Sequence, residues 1–259
     1  MILVTGATAE SGFTETPYGV LKRFRTIERW LATNQRSLRI LDFGCGTGEL
    51  VTFPLAEAGH QVVGIDVHSP SIDVARSRCD LPNLEFKVAT EADFLEYEQE
   101  FDAVICSQVL EHLENPSQLL AHFHRILRKD GQLIVTTPNG RGSYEILCVI
   151  ERCLQRIGIH QFFRRLVAPR PTLQERTGFL NFDSKHIQFF KLRQLEKLFR
   201  AAGFEVLARR SGTLFCGPYV DLLFQWLPFR RSLIRLNAWL PDMLPMRLTA
   251  DWMFLLRKT

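Results

Sequence analysis

The chain has 259 residues, of which 46% are hydrophobic and 23% are charged, which predicts one globular domain and excludes a disordered or fibrous protein. The formal net charge of +4 is too small to indicate a nucleic-acid-binding protein. The six cysteines are scattered without a Cys-X-X-Cys pair, which argues against a disulfide framework or a zinc site and favours a reducing, cytoplasmic location.

The N-terminal region predicts an irregular lead-in followed by one helix. Residues 1–16 begin like a reductase strand, but no regular helix pattern follows them, and no secretory signal pattern is present. No run of about 20 apolar residues exists in the chain, so we expect no membrane-spanning helix. Between Tyr18 and Thr33, apolar residues recur at three- and four-residue steps and predict an amphipathic helix.

The most informative stretch is residues 39–50, in which a short apolar strand leads to Asp42, then to Gly44, Gly46 and Gly48, and then to a helix. A glycine turn between a strand and a helix brings backbone N–H groups close to a ligand. The dinucleotide fingerprint G-X-G-X-X-G would require a third glycine where Glu49 stands, so the spacing argues against it. The pattern present is D-X-G-X-G-X-G.

With this motif the chain resembles the class I S-adenosylmethionine-dependent methyltransferases, and within them the small-molecule branch that includes ubiquinone and menaquinone biosynthesis enzymes. The resemblance implies an S-adenosylmethionine cofactor at the glycine turn, product S-adenosylhomocysteine, and contacts from Asp42, Gly44, Cys45, Gly46 and Gly48. It also implies that the N-terminal helix closes over the cofactor. Its residues Tyr18 and Arg25 then become candidates to touch the methionine carboxylate, with a structural role as the alternative.

The second predicted strand, residues 61–66, ends on Asp66, 20 positions after Gly46. An acidic residue at this distance can accept hydrogen bonds from ribose hydroxyls. Its alternative role, as a helix N-cap, is already filled by Ser69 and Pro70. The resemblance places Val67 against the adenine. It also calls for an acid after the third strand, residues 84–89, where this chain has Thr90 and where Glu91 is the candidate.

The fourth predicted strand, Phe101–Ser107, leads into the sequence Gln108-Val-Leu-Glu-His112-Leu, the second block of resemblance. The resemblance implies that Ser107 faces the methionine part of the cofactor, at the carboxyl end of the strand, where open α/β sheets bind ligands. Gln108, Glu111 and His112 stand at i, i+3 and i+4, so one helical turn would place them on the same side. In some resembling quinone-precursor O-methyltransferases, this trio has a glutamate at the first position and binds magnesium. A glutamine weakens such a site, so we predict no required metal. Glu111 then stays an active-site neighbour, and His112 is either a general base or a packing residue.

The remaining chain predicts two insertions and the end of the sheet. The first insertion, at about 140–184, combines arginines with apolar residues and is expected to form a helical cap, and the second, at about 213–248, is aromatic and proline-rich. Each could line an acceptor pocket or lie on a membrane surface, and for the first insertion a solvated cap face is the favoured alternative. Between them, His186 is a second candidate base or a structural histidine, followed by a helix ending at Gly203. The last strand, residues 252–258, is antiparallel if the resemblance holds.

Together these elements predict a single α/β domain over residues 1–259, with a Rossmann-like, seven-stranded, mostly parallel sheet and helical cap insertions. The resemblance implies methyl transfer to a small-molecule or lipid-like acceptor, with an oxygen acceptor favoured. The expected location is the cytoplasm, free or peripheral at a membrane, without a nucleic-acid partner. Two alternatives stay open: a catalytically silent cofactor-binding or membrane-adaptor module, and a nicotinamide-dependent reductase.

Overall fold

The computed structural model describes residues 17–32, 36–90, 93, 97–143, 146, 149, 153, 156–157, 186–216, 227 and 229–259. The strands are β1 (Arg39–Phe43), β2 (Gln61–Asp66), β3 (Leu84–Val88), β4 (Phe101–Ser107), β5 (Leu127–Pro138), β6 (Phe204–Ser211) and β7 (Asp251–Lys258). The α-helices are α1 (Pro17–Leu31), α2 (Thr52–Glu57), α3 (Ser69–Arg78), α4 (Pro116–Ile126), α5 (Leu192–Ala201) and α6 (Arg230–Trp239). Short 3-10 turns occupy Leu110–His112, Leu240–Met243 and Met246–Leu248.

The strands form one seven-stranded sheet in the order β3-β2-β1-β4-β5-β7-β6. The pairs among β3, β2, β1, β4 and β5 are parallel, whereas β7 runs antiparallel to both β5 and β6. The order reverses beside β1, because β2 and β4 flank it. This confirms the predicted mostly parallel sheet with an antiparallel last strand. The reversal of the strand order also creates a crevice at the carboxyl ends of β1 and β4, where sheets of this kind bind ligands.

Alternate side chains of β1 point into the two layers of the core. Leu41 packs with residues of α4 and α5 on one face, and its neighbour Ile40 packs with α1 and α2 on the other. This alternation follows from the two-residue period of a strand. The burial of α1 depends on Ile27 and Leu31, two of the residues whose spacing predicted the helix. Helix α5 contributes Leu195 and Phe199 and ends before Gly203, whose φ is +82°, as predicted from the sequence.

Two helix boundaries are fixed by the backbone next to them. Helix α4 ends at Ile126, because Leu127 already pairs with Phe101 of β4. The β4–β5 register then shifts between Phe101 and Ala103, opposite an irregular part of β5 in which Asp130 has a φ of +61°. Helix α2 begins at Thr52, since the chain from Gly48 is still turning.

The cap insertions are described only in part. Most of the first, at 140–184, lies outside the described residues, and so does the segment 1–16. The second insertion, at 213–248, contributes α6 and the turn Leu240–Met243 to the described structure. Among the described residues, no helix combines the length and the hydropathy needed to span a bilayer.

Candidate active site at the carboxyl edge of the sheet

Three parallel strands end together at the edge that carries the candidate site. Phe43 of β1 lies beside Ile65 of β2 and Cys106 of β4, so the next residues of those two strands, Asp66 and Ser107, project at the same edge. The glycine turn leaves β1 between them. The topology therefore brings together residues that are far apart in the chain.

The glycine turn is shaped by three left-handed backbone conformations. Gly44, Gly46 and Gly48 have φ values of +76°, +56° and +77°, which other residues rarely adopt. A Cβ atom on Gly44 would lie 2.4 Å from Cγ2 of Val109, and one on Gly48 would lie 2.8 Å from Cζ of Phe86. Glycine is required at both positions for close packing as well as for the turn.

Hydrogen bonds fasten this turn to β2. The N–H groups of Gly44 and Cys45 both donate to the carbonyl of Ile65 at 2.9 Å. The N–H of Gly46 donates to Oδ2 of Asp66 at 2.8 Å, and the N–H of His68 donates to Oδ1 of the same side chain at 2.9 Å. Asp66 therefore holds the turn in place. Each carboxylate oxygen has a second lone pair for a ligand.

Asp42 precedes Gly44 by two residues, and the cofactor contact predicted for it stays a prediction. Its side chain is buried and accepts a hydrogen bond from the Thr52 hydroxyl at 2.6 Å, which ties β1 to the first residue of α2. Burial raises the pKa of the Asp42 carboxyl to about 7, and the Thr52 hydroxyl opposes this rise. Burial likewise raises the pKa of the Cys45 thiol far above its usual range, so the protonated thiol is strongly favoured. These two residues shape the turn by packing and hydrogen bonding.

The adenine side of the crevice is only partly described. Val67 leaves 61% of its surface exposed directly after Asp66, so an apolar contact is available there. Glu91, the candidate acid, lies outside the described residues. The N–H and the hydroxyl of Thr90 both donate to Oδ2 of Asp93, at 2.7 and 2.9 Å, which closes a turn after β3.

On the opposite side of the crevice, Ser107 shares a hydrogen bond with the Thr136 hydroxyl at 2.8 Å, and Nη1 of Arg23 lies 3.5 Å from Ser107 Oγ. Burial lowers the pKa of the Arg23 guanidinium, whereas the negative charges of Asp251 and Glu111 raise it. Sequence analysis proposed Arg25 instead, but Arg25 is exposed to solvent. The helical period could have identified Arg23, because it lies one turn before the buried Ile27.

Next to this arginine, Glu111 is 1% exposed, and its Oε2 accepts a hydrogen bond from the Thr137 hydroxyl at 3.2 Å. Its other oxygen, Oε1, has no hydrogen-bond partner among the described residues and lies 4.0 Å from His112 Nε2. Burial raises the pKa of the Glu111 carboxyl to about 7, while its own backbone N–H, His186 and Thr137 lower it. A buried acid with this pKa can exchange a proton near neutral pH.

His186 joins this acid from a distant part of the chain. Its ring lies edge-on to that of His112, with centroids 4.9 Å apart. The N–H groups of Ile187 and Gln188 both donate to the Glu111 carbonyl at 2.9 Å, which fixes the segment that carries His186. Glu111, His112 and His186 each offer one ligand atom within 4.8 Å of the others, as a three-ligand cation site would. We name these three residues the Glu–His–His cluster.

Gln108 does not belong to this cluster. The sequence predicted one helical turn carrying Gln108, Glu111 and His112 on the same side. Instead Gln108 has a φ of +59°, the short turn begins only at Leu110, and the Gln108 amide donates to Thr136 Oγ1 at 3.1 Å. The member that replaces it is His186, which spacing along the chain could not associate with Glu111.

Comparison with known proteins agrees with this architecture. The chain belongs to the methyltransferase-domain family, whose sequence model matches residues 20–209. This confirms the prediction made from the glycine motif, that the protein is a class I S-adenosylmethionine-dependent methyltransferase.

Among similar sequences, a ubiquinone biosynthesis O-methyltransferase of Pseudomonas aeruginosa (strain LESB58) is 32% identical over 142 residues, covering 51% of this chain and 59% of that protein. One from Actinobacillus pleuropneumoniae serotype 7 is 30% identical over 135 residues, covering 48% and 57%. The matches thus span less than two thirds of these relatives.

Among solved structures, a putative sarcosine dimethylglycine methyltransferase from Galdieria sulphuraria has a TM-score of 0.59 at 15% identity, covering 92% of this chain and 86% of that one. The magnesium protoporphyrin IX methyltransferase from Synechocystis PCC 6803, solved with bound S-adenosylhomocysteine, has a TM-score of 0.54 at 18% identity, covering 93% and 84%. At these identities the likeness shows the fold.

Proposed function

We propose that this chain transfers a methyl group from S-adenosylmethionine to a hydroxyl oxygen of a small-molecule or lipid-like acceptor. The observation that carries the proposal is the position of the Glu–His–His cluster. It lies at the strand edge where Ser107 and the glycine turn also meet, so a base and a cofactor site would share one crevice. Family membership supports the cofactor, and the names of the two related O-methyltransferases support an oxygen acceptor.

The residues around the crevice fit the cofactor chemically. The two Asp66 oxygens keep acceptor capacity for ribose hydroxyls, and the exposed Val67 offers an apolar surface to the adenine. Arg23 and Ser107 would hold the methionine end, since a guanidinium pairs well with a carboxylate. When bound, the sulfonium supplies an electrophilic methyl group that is already reactive.

The protein's own contribution is then positioning and proton removal. Holding two reactants in line can be worth roughly 7–11 kcal/mol of the barrier. A hydroxyl acceptor must also lose its proton, and His112 or His186 would accept it while Glu111 stabilises the resulting imidazolium. The Glu111 carboxylate can play this part because its Oε1 lies 4.0 Å from His112 and is otherwise unpartnered among the described residues.

A metal is not part of the proposal. Two histidines and one carboxylate could hold a cation, but all three have roles in proton transfer without one. In the resembling magnesium sites, a glutamate supplies a carboxylate at the position of Gln108. Here the Gln108 amide donates to Thr136 instead. We also infer that the reaction takes place in the cytoplasm, free or at a membrane surface, because the scattered cysteines favour a reducing compartment.

Calorimetry and a methyl-transfer assay test the function together. Titration with S-adenosylmethionine should give saturable binding, and NADH should give none. Incubation with labelled S-adenosylmethionine and a metabolite or lipid extract should then yield a labelled product that is stable to mild base, as an aryl or alkyl ether is. Binding without transfer to any extract would favour a silent adaptor, and binding of NADH alone would favour a reductase.

A further inference from the structure

The second insertion carries an apolar surface on α6 and the two 3-10 turns that follow it. Its members are largely exposed side chains, with Phe229 82%, Met243 67%, Trp239 58%, Leu248 56% and Leu236 45% exposed. We call this set the α6 surface. Leu236 and Trp239 stand three residues apart on α6 and therefore lie on one side of the helix, with Phe229 at its N-terminal cap and Met243 in the 3-10 turn that follows it.

The other side of α6 is fastened to the protein, so the exposure does not come from a loose segment. Asn237 is buried, and its side chain accepts from the N–H of Phe215 at 2.7 Å and donates to the carbonyl of Phe215 at 2.9 Å. The Leu214 N–H also donates to the Asn237 carbonyl at 3.0 Å. The apolar side chains are therefore presented outward by a fixed helix.

The segment that carries this surface is rich in arginine. Residues 227–250 contain four arginines (Arg230, Arg231, Arg235 and Arg247) and one acid, Asp242. The Asp242 carboxylate is already paired with Lys22 at 2.8 Å and with Arg210 at 2.9 Å. An apolar helix face with a tryptophan, in a segment that also exposes Arg231, Arg235 and Arg247, fits the boundary between anionic headgroups and acyl chains.

The α6 surface is also connected to the candidate active site. Lys22 of α1 donates to the Ala238 carbonyl of α6 at 2.6 Å and to the Gly212 carbonyl at 2.8 Å. The next residue, Arg23, reaches Ser107 in the crevice. The turns after α6 lead into Asp251, the first residue of β7, which pairs with Pro138 at the carboxyl end of β5. The surface thus lies at the sheet edge that carries the crevice.

We propose that the α6 surface docks the protein on an anionic lipid bilayer, with Phe229, Trp239 and Met243 inserted at the headgroup boundary and the exposed Arg231, Arg235 and Arg247 on the phosphates. Docking in this orientation sets the crevice beside the bilayer, so that an apolar acceptor could enter from the lipid. Only this last step rests on the proposed methyl transfer. The docking itself requires neither cofactor nor turnover.

Vesicle flotation of the full chain tests the docking. The protein should float with vesicles of phosphatidylcholine containing about 30% phosphatidylglycerol and should stay behind with pure phosphatidylcholine or in high salt. Trp239→Ala combined with Met243→Ala should lower the vesicle-bound to free ratio by about tenfold or more. Leu207→Ala is the matched control, because it truncates an exposed apolar side chain on β6, and its binding should equal that of the wild type.

A second pair of variants tests the charges and replaces the first if that pair does not fold. Arg231→Gln with Arg247→Gln should weaken flotation on anionic vesicles, whereas Arg193→Gln with Lys197→Gln on α5 removes the same charge and should not. Failure of the wild type to float on anionic vesicles would overturn the proposal, as would equal flotation of all variants. A concentration-dependent dimer that Trp239→Ala with Met243→Ala abolishes without lipid would assign the surface to a second copy instead.

Discussion

The two halves of the crevice are built in different ways. On the β2 side, the glycine turn is held by backbone N–H groups that donate to the Ile65 carbonyl and to Asp66. On the β4 side, the Glu–His–His cluster is formed by side chains from two separate parts of the chain. A backbone cradle needs only a local motif, whereas a side-chain cluster requires the whole sheet to form first. The first half is therefore suited to holding a constant cofactor, and the second can vary with the acceptor.

If this division is right, changing Glu111 should slow methyl transfer strongly without changing the affinity for S-adenosylmethionine. Glu111→Gln keeps the shape and a partner for Thr137 but cannot hold the negative charge that stabilises a protonated histidine. We expect kcat to fall by about 10²–10³, a typical contribution of acid–base catalysis, with unchanged affinity for S-adenosylmethionine. Steady-state turnover and calorimetry measure the two quantities. Glu114→Gln, an exposed acid three residues later, is the control, and equal kcat values for both variants would contradict the division.

The reverse effect is expected at Asp66. Asp66→Ala removes the acceptor of the Gly46 N–H as well as the ribose partner. The binding free energy for S-adenosylmethionine should therefore weaken by about 2–4 kcal/mol, because a hydrogen bond to a charged group contributes roughly 1.5–3 kcal/mol. Calorimetry measures this loss. Asp73→Ala, at an exposed position on α3, should leave affinity unchanged. Wild-type affinity in Asp66→Ala would reject the assignment of the sugar site.

Asp42 should affect stability rather than binding, and its effect should depend on pH. The folded state keeps the carboxyl protonated up to a pKa of about 7, while the unfolded chain loses that proton near its ordinary value of 3.8. The free energy of unfolding therefore decreases as pH rises between these two values and stays at its lower level above about pH 7. The side chain of Asp42→Asn cannot ionise. The free energy of unfolding of this variant, relative to that of the wild type, should therefore increase by on the order of 2 kcal/mol from pH 5 to pH 8, at about 1.36 kcal/mol per pKa unit.

Urea unfolding of the two proteins at both pH values provides that measurement. Asp73→Asn serves as the control for a change of charge, because Asp73 is exposed. A constant difference between Asp42→Asn and wild type across the pH range would show that the buried carboxyl does not titrate as described.

The smallest effect is expected from removing metals. If the Glu–His–His cluster works by proton transfer alone, dialysis against EDTA should leave turnover within about twofold of the untreated enzyme, while His186→Ala should lower it. Loss of activity in EDTA, restored by a divalent cation, would instead show that the three side chains form a metal site. Turnover with and without chelator, assayed on wild type and His186→Ala, separates the two roles.

The two halves also differ in how far they could be predicted. Gly44, Gly46, Gly48 and Asp66 were identified because a strand, a turn and the next strand lie close in sequence, and local spacing reports on local geometry. Arg23 was missed in favour of Arg25, although the period of α1 carried the information. The grouping of Gln108 with Glu111 was wrong because a positive φ at Gln108 interrupts the turn. The predicted cofactor contact at Glu91 stays a prediction.

The sequence by itself determined the class of fold, because strand and helix periods and the glycine spacing are local properties that each segment expresses on its own. It also determined that Glu111, His112 and His186 were worth considering. Only the tertiary structure decided that they meet. The segment carrying His186 is fixed by two hydrogen bonds to the Glu111 carbonyl, and contacts between residues 75 positions apart depend on the packing of the complete sheet rather than on any local pattern.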